Sequence, residues 1–126
     1  MARIRLARRA QADISRILAG SAERWGIDGR RRYGRLLTEA IRQIAAAPAS
    51  RTTRERAELA PGLRSLHARH VRQADPRTSV RRPVHVLYYR VSPPGLVEIV
   101  RVLHERMEPS RHLSATAEEG EPGLAP

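Results

Sequence analysis

The 126-residue sequence contains no cysteine, no lysine and no phenylalanine, and its aromatic residues are one tryptophan and three tyrosines. Without cysteine the chain has no disulfide framework, no thiolate metal site and no cysteine nucleophile. Without lysine it has neither a Schiff-base amine nor a lysine general base. No apolar run is long enough to span a bilayer, and residues 1–15 lack the apolar segment of a signal peptide. These absences predict a cytoplasmic protein with a thin aliphatic core.

Arginine supplies all 24 basic residues. Residues 1–112 contain these 24 arginines and ten of the 13 acids, a net charge of +14, whereas residues 113–126 contain three acids and no base. Such a surface attracts an anionic partner, either nucleic acid or an acidic protein segment. Arginine stays protonated, so it binds phosphate or carboxylate but does not accept protons. The alternative is that the codon usage of a GC-rich genome has filled a solvated surface with arginine.

The first third of the sequence predicts a strand and a helical hairpin. Ile4 and Leu6 alternate with arginines over residues 2–6, as in a strand with one solvated face. Two apolar stripes at helical spacing follow, formed by Ile14, Ile17, Leu18, Ala22 and Trp25 and by Tyr33, Leu36, Leu37, Ala40, Ile41 and Ile44. We expect two antiparallel helices, with Gly26 as the left-handed stop of the first, Trp25 as a packing cap and Pro48 after the second.

The remaining sequence predicts three strands. Residues 48–62 are polar and rich in turn-forming residues, which indicates a loop, and a strand follows from Leu63 to about His70. An arginine-rich insertion at residues 71–83 has the length and charge of a mobile hairpin loop. Residues 84–91 and 96–104 are apolar at nearly every position, as in strands covered on both faces. In strict alternation the last strand would place one set of side chains on a common face: Val97, Ile99, Arg101 and Leu103.

The element order β-α-α-β-β-β predicts an α+β fold with a small antiparallel sheet. One domain is expected at residues 1–113, followed by a disordered acidic tail at residues 114–126. The sequence has no glycine-rich phosphate loop, and its five histidines and 13 acids show no metal-ligand spacing. We therefore expect no metal and no cofactor.

Three stretches carry a family resemblance: "GLRSLHARH", "VHVLYYRV" and "VEIVRVLHERMEPSRHL". With these three stretches in this order after a predicted helical hairpin, the sequence resembles the RelE/ParE superfamily of type II toxins. The last stretch is similar to the C-terminal sequences of the ParE-like branch. The resemblance covers about residues 2–113 and implies a small curved antiparallel sheet with the helical hairpin packed on it. The insertion at residues 71–83 is a departure, since many relatives make a tight turn there.

The ParE-like branch implies a toxin that binds and poisons a macromolecular target, with DNA gyrase as the expected target and no catalytic group of its own. A cognate ParD-like antitoxin is the expected partner, operator DNA is reached only through that antitoxin, and no membrane is involved. We expect the contacts to be made by Arg64, Arg69, Arg90, Arg101, His104 and Arg106. Joint replacement of Arg101 and Arg106 is expected to abolish toxicity and leave the fold intact.

The RelE-like branch implies an alternative, an mRNA endonuclease that acts on the ribosome. The residues assigned to this alternative are Arg64, Arg101, Arg106 and His112. Arg106 matches the arginine after the last strand, Arg64 lies near the place of the expected lysines, and His112 stands in the place of a tyrosine. The arginines would stabilise phosphate charge, and His112 or His104 would carry a proton. Val86 stands where those nucleases have a further arginine. A third hypothesis, a non-catalytic nucleic-acid-binding module, rests on charge alone.

Overall fold

The computed structural model describes residues 2–113, so the expected acidic tail at residues 114–126 lies outside the described residues. The fold is α+β, as predicted. Its elements, in chain order, are strand β1 (Arg3–Leu6), the helical segment α1 (Arg8–Ala46), and strands β2 (Thr53–Glu55), β3 (Leu63–His67), β4 (His85–Ser92) and β5 (Leu96–His104). A 3-10 turn at Ala68–His70 follows β3, so this strand ends earlier than the sequence predicts.

The segment α1 is a pair of helices folded back on each other. Gly26, at its middle, has φ +75° and ψ −173°, a backbone region that is essentially restricted to glycine. A Cβ added at Gly34 would lie 3.7 Å from a methyl carbon of Leu18, although a straight helix would separate these residues by about 24 Å. The predicted hairpin is confirmed, but Gly26 adopts an extended ψ rather than the left-handed helical conformation. None of the described helical residues forms a stretch that is both long and apolar enough to cross a membrane.

The sheet has five strands in the order β1-β5-β4-β3-β2. Strand β4 pairs antiparallel with both β3 and β5, as predicted. Strand β1, however, pairs in parallel with β5, so the sheet is mixed, and β2 adds a strand inside the expected loop at residues 48–62. The sequence does not signal either detail, because alternation carries no strand direction and β2 consists of only Thr-Arg-Glu.

Both faces of the two central strands are buried, which confirms their prediction as covered strands. The face toward α1 packs Leu87, Tyr89, Val97, Ile99 and Val102 against Leu36, Leu37, Ala40 and Ile44. The opposite face packs Leu63, Tyr88, Val100 and Leu103 with Leu113, which follows β5. The helical hairpin therefore covers only one side of the sheet, and the chain after β5 helps to cover the other.

Strand β5 contains a bulge. Arg101 aligns with Tyr88 and Ile99 aligns with Tyr89, which leaves Val100 without a partner residue of its own. After Val100 the side chains therefore point to the faces opposite to those expected from strict alternation. The predicted common face of this strand is wrong beyond Ile99, because the extra residue of a bulge leaves no mark in the apolar pattern.

The arginine-rich insertion packs against the second arm of α1, the part that follows Gly26. Its Val80 lies against the main core, and the side chain of Gln73 bonds both backbone groups of Val80 at 2.7 and 3.0 Å. Gln43 of the second arm bonds both backbone groups of Arg72. The insertion and the second arm form the two walls of a cleft of about 420 Å³.

Candidate partner-binding surface

Three histidines meet at one end of the sheet. His67 ends β3, His85 begins β4 and His104 ends β5, and the strand register places His85 directly opposite His104. The rings of His85 and His104 stand nearly perpendicular with centroids 5.5 Å apart. Together with Tyr33 from α1 and Glu105, these residues define a surface that we call the histidine end.

Tyr33 and His85 form the buried part of the histidine end. The Oη of Tyr33 accepts the backbone N–H of Val84 at 3.2 Å and lies 2.6 Å from Nδ1 of His85. With Tyr33 as the donor to Nδ1, a neutral His85 carries its proton on Nε2. Burial, reinforced by the neighbouring His104, lowers the pKa of His85 to about 4, and burial raises the pKa of Tyr33. His85 is thus uncharged near neutral pH.

Backbone N–H groups set the proton positions of the other two histidines. The Nδ1 of His67 accepts the N–H of Arg69 at 3.0 Å, so its Nε2 donates to the carboxylate of Glu105 at 2.7 Å. This hydrogen bond lowers the pKa of Glu105. The Nδ1 of His104 accepts the N–H of Arg106 at 3.0 Å, which leaves the proton of the neutral ring on Nε2.

Three residues of the predicted contact set lie at the histidine end: Arg69, His104 and Arg106. Both arginines are exposed. The Nε of Arg69 lies 3.4 Å from Nε2 of His70, and within residues 2–113 the guanidinium of Arg106 forms no ion pair. The carboxylate nearest to them, Glu105, is already bonded to His67. This end of the molecule therefore presents two guanidinium groups to solvent.

Arg101, which the sequence places among the surface contacts, is buried with only 6% of its surface exposed. The structure places its guanidinium inside the fold, where it binds Asp13 through two hydrogen bonds, at 2.8 Å from Nε and 2.9 Å from Nη2. Its Nη1 donates to the carbonyl of His112 at 3.3 Å. Asp13, 3% exposed, also accepts the N–H of Val102 at 2.9 Å. The pair clamps the first arm of α1 to β5.

Arg64 and Arg90 lie toward the other half of the sheet, where β3 begins and β4 ends. The Arg64 side chain is held internally, with Nε donating to the carbonyl of Pro48 at 3.1 Å and Nη2 to the hydroxyl of Thr53 at 2.8 Å. Arg90 is half-buried, and its Nε has no hydrogen-bond partner among residues 2–113. The six predicted contact residues therefore do not form one continuous surface.

The residues of the alternative nuclease hypothesis are also distributed. Arg101 is neutralised by Asp13, Arg64 is engaged in internal hydrogen bonds, and His112 holds Arg101 through its backbone carbonyl. Arg106 remains exposed. Two of the three arginines assigned to phosphate thus have structural partners instead. Within the described part of the chain, no three His, Asp or Glu side chains are placed to hold a metal ion.

Four residues of this surface and its support were not among the site residues predicted from the sequence: Asp13, Tyr33, His85 and Glu105. Asp13 resembles any other polar residue of an amphipathic helix, and its partner lies 88 residues away in the chain. His85 and Glu105 carried a usable signal, because each flanks the apolar run of a central strand. Polar residues at such positions converge when neighbouring strands are antiparallel.

The cleft beside the insertion is a second basic surface. Its guanidinium groups belong to Arg32, Arg35, Arg42 and Arg72. Both carboxylates in the cleft already have partners: Glu39 lies 3.6 Å from Arg42, and Asp75 lies 3.4 Å from the Nε of Arg77. Three of the four arginines consequently retain uncompensated charge.

Acid is expected to destabilise the protein through His85. In the unfolded chain this histidine takes up a proton near pH 6.5, whereas in the folded chain it does so only near pH 4. Between these values the unfolded state binds more protons, so the free energy of unfolding falls as the pH is lowered from about 6.5 to about 4. Urea denaturation at several pH values measures this slope.

The matched variants for this prediction are His85→Asn and His70→Asn. Asparagine at position 85 keeps an acceptor for Tyr33 but does not titrate, so its slope should be clearly shallower than that of the wild type. His70 is exposed, and burial with the nearby Arg69 lowers its pKa, so its replacement should change the slope much less. An unchanged slope in His85→Asn would show that another group causes the acid sensitivity.

Comparison with known proteins gives consistent matches. A family model described as ParE toxin of type II toxin-antitoxin system, parDE, matches residues 4–109. The chain is similar to Toxin ParE1 of Mycobacterium tuberculosis, with 38% identity over 104 residues that cover 82% of this chain and 90% of that protein. It is also similar to Toxin ParE1 of Caulobacter vibrioides, with 36% identity over 109 residues that cover 86% of this chain and 95% of that protein.

A solved structure, from the chromosomal ParDE TA system of P. aeruginosa, has the same fold. It superposes with a TM-score of 0.62 at 17% sequence identity and covers 82% of this chain and 96% of that chain. The residues matched by the family model begin in β1 and extend past β5.

Proposed function

Because this chain belongs to the ParE toxin family of type II toxin-antitoxin systems, we propose that it arrests growth by binding DNA gyrase and that a cognate ParD-like antitoxin neutralises it. The proposed action is tight binding to a protein in the cytoplasm, without making or breaking covalent bonds. Operator DNA would be reached only through the antitoxin.

The observation that carries this proposal is the pair of exposed guanidinium groups at the histidine end. Arg69 and Arg106 lie beside the rings of His67 and His104, whose backbone partners fix their orientation. The oriented histidine rings lose little conformational freedom on binding, and the exposed guanidinium groups beside them supply the positive charge. We assign this surface to the target, because its two exposed arginines directly follow the ends of strands β3 and β5.

The antitoxin is assigned to the cleft between the insertion and the second arm of α1. Antitoxins of this kind would insert an amphipathic segment there and offer carboxylates to the uncompensated arginines of the cleft. Arg35 and Arg72 line opposite walls, so one acidic segment can contact both. If target and antitoxin bind separate surfaces, mutations in this chain can weaken the binding of one partner without affecting the other.

The internal bonding of two of the three arginines assigned to phosphate supports a binding function over RNA cleavage. In-line attack on a phosphodiester requires a base, an acid and stabilisation of the phosphate charge. The charge of Arg101 is neutralised by Asp13, and Arg64 donates to the backbone carbonyl of Pro48. Arg106, the remaining arginine of that hypothesis, is adjacent to the carboxylate of Glu105, which repels phosphate.

The test is induction of the wild type and of the double variant Arg69→Glu/Arg106→Glu, with parallel assays of growth, gyrase supercoiling and mRNA integrity. We expect the wild type to stop growth and inhibit supercoiling, and the variant to do neither while it still binds the antitoxin. The charge-matched control Arg51→Glu/Arg54→Glu changes two exposed arginines in and beside β2 and should behave like the wild type.

Three outcomes would contradict the proposal. Defined mRNA fragments with normal supercoiling would favour the ribosome-dependent nuclease, and inhibition retained by Arg69→Glu/Arg106→Glu would exclude the histidine end as the contact. Equal loss of activity in the control pair would mean that net charge alone is responsible, as the nucleic-acid-binding hypothesis predicts.

A further inference from the structure

The tip of the helical hairpin presents the two most exposed large apolar side chains of the described residues. Trp25 is 69% exposed and Ile27 is 66% exposed, on either side of Gly26. The prediction that Trp25 is a packing cap is therefore wrong, since most of the indole faces solvent. Soluble proteins seldom leave a tryptophan and an isoleucine together in water without a binding role. We call residues 23–32 the hairpin tip.

Two glycines hold the hairpin tip in one shape. The positive φ of Gly26 reverses the chain, and Gly29 is buried directly beneath Trp25. A Cβ at Gly29 would lie 2.2 Å from the Cβ of Trp25. The backbone of the second arm therefore contacts Trp25 at the end of the first arm. The indole is thus displayed by a closely packed turn, and ordering it on binding costs little conformational entropy.

The hairpin tip projects beyond the histidine end. Tyr33, on the second arm, contacts His85 there, and Ile27 lies six residues further toward the tip, which is about 9 Å along the helix axis. The other end of the second arm lies at the far end of the sheet, where the carbonyl of Ala45 accepts the N–H of Ala2. The exposed apolar residues and the exposed arginines of the histidine end therefore lie at the same end of the molecule.

The charge of the hairpin tip points to the kind of partner. Residues 23–32 contain four arginines and two carboxylates; without Arg32, which lines the cleft, a net charge of +1 remains around the apolar pair. Tryptophan and arginine are the residues most enriched at energetic centres of protein interfaces. A protruding knob also requires a concave partner, which a folded protein provides and an extended peptide segment does not.

We propose that the hairpin tip is an anchor whose Trp25 and Ile27 insert into an apolar pocket, rimmed by carboxylates, on the folded protein that the toxin attacks. This inference rests on the proposed function and adds a second, apolar contact to the charged one at the histidine end. Gyrase would be held at two places, by arginines at the sheet and by the indole at the tip, and the antitoxin in the cleft would leave the indole uncovered.

The first test compares the double variant Trp25→Ala/Ile27→Ala with Ile4→Ala/Val91→Ala. The control pair removes exposed apolar side chains, 39% and 45% accessible, at the opposite end of the sheet. Circular dichroism and thermal unfolding should show that both variants keep the fold. We expect the tip variant to bind gyrase about 30-fold more weakly or worse and to lose growth arrest, with antitoxin binding and the control pair unchanged.

The second test uses the fact that Trp25 is the sole tryptophan of the chain. Toxin labelled with 5-fluorotryptophan gives a single fluorine resonance from the hairpin tip, whatever tryptophans the partner contains. Purified gyrase should shift or broaden this resonance, and the antitoxin should leave it in place. A resonance that responds to the antitoxin but not to gyrase would overturn the proposal.

The outcomes separate this proposal from the proposed function. If Arg69→Glu/Arg106→Glu abolishes growth arrest while Trp25→Ala/Ile27→Ala retains it, the function stands and the anchor is refuted. Binding of the wild type to duplex DNA that depends on Trp25 would replace the protein pocket with nucleic acid and would also refute it. A wild type that arrests no growth would overturn the proposed function, and the anchor with it.

Discussion

Replacement of Arg101 by methionine is expected to lower the free energy of unfolding by about 3–5 kcal/mol. Methionine keeps an apolar stem of similar length but removes the guanidinium, so Asp13 remains at 3% exposure without its principal partner. The N–H of Val102 and the exposed Arg16 are the other donors to that carboxylate, and they do not replace a buried cation. Urea denaturation at neutral pH measures the loss.

Two further variants identify the cause of the stability loss in Arg101→Met. Arg106→Met removes an exposed guanidinium and should change the free energy of unfolding by no more than about 0.5 kcal/mol. Asp13→Leu/Arg101→Met removes both buried charges and should recover most of the stability, because replacing a whole buried pair costs far less than removing one partner. A loss below about 1 kcal/mol in Arg101→Met would show that the pair is not a structural clamp. Joint replacement of Arg101 and Arg106 is therefore not a clean test of toxicity, contrary to the expectation from sequence.

Alanine at Gly29 and alanine at Gly20 are expected to change stability in opposite directions, although both glycines lie in α1. Gly29→Ala places a methyl group 2.2 Å from the Cβ of Trp25, an atom attached directly to the backbone that moves only if the hairpin opens. The expected cost is about 1–3 kcal/mol. A Cβ at Gly20 meets nothing within 4 Å, so Gly20→Ala should stabilise the helix by about 0.5–1 kcal/mol.

Thermal unfolding of the two variants beside the wild type checks this prediction. Gly29→Ala should also alter the environment of Trp25, which fluorescence of the sole tryptophan reports directly. If Gly29→Ala were as stable as the wild type with unchanged fluorescence, the close contact beneath the indole would be refuted. If Gly29→Ala nevertheless failed to arrest growth in that case, a change in the shape of the hairpin tip could not be the cause.

Most of the fold could be predicted from the sequence, because apolar periodicity reports how each segment is buried. The hairpin, the break at Gly26 and the two central strands all followed from this pattern. The parallel pairing of β1 and the bulge at Val100 did not, since they depend on which edges meet and on one unpaired residue. The three residues of β2 carry no apolar alternation.

The candidate site was less accessible from sequence, because arginine is abundant and each copy looks alike. Burial separates Arg101, bound to Asp13, from Arg106, which faces solvent, yet both lie in the same short motif. Trp25 was misjudged for a related reason: helical spacing places it on the apolar stripe, but the first arm has already passed the end of the sheet where it reaches Trp25. Long-range contacts decide these cases, and local patterns do not contain them.

The position of β5 between β1 and β4 also governs when the molecule can become active during synthesis. Strand β1 is synthesised well before β5, its neighbour in the sheet, and the carboxylate of Asp13 precedes its guanidinium partner by 88 residues. A nascent chain that ends before β5 lacks one of the two central strands and cannot close its core. Translation interrupted at that stage would release unfolded fragments, so the folded domain can form only after β5 has been made.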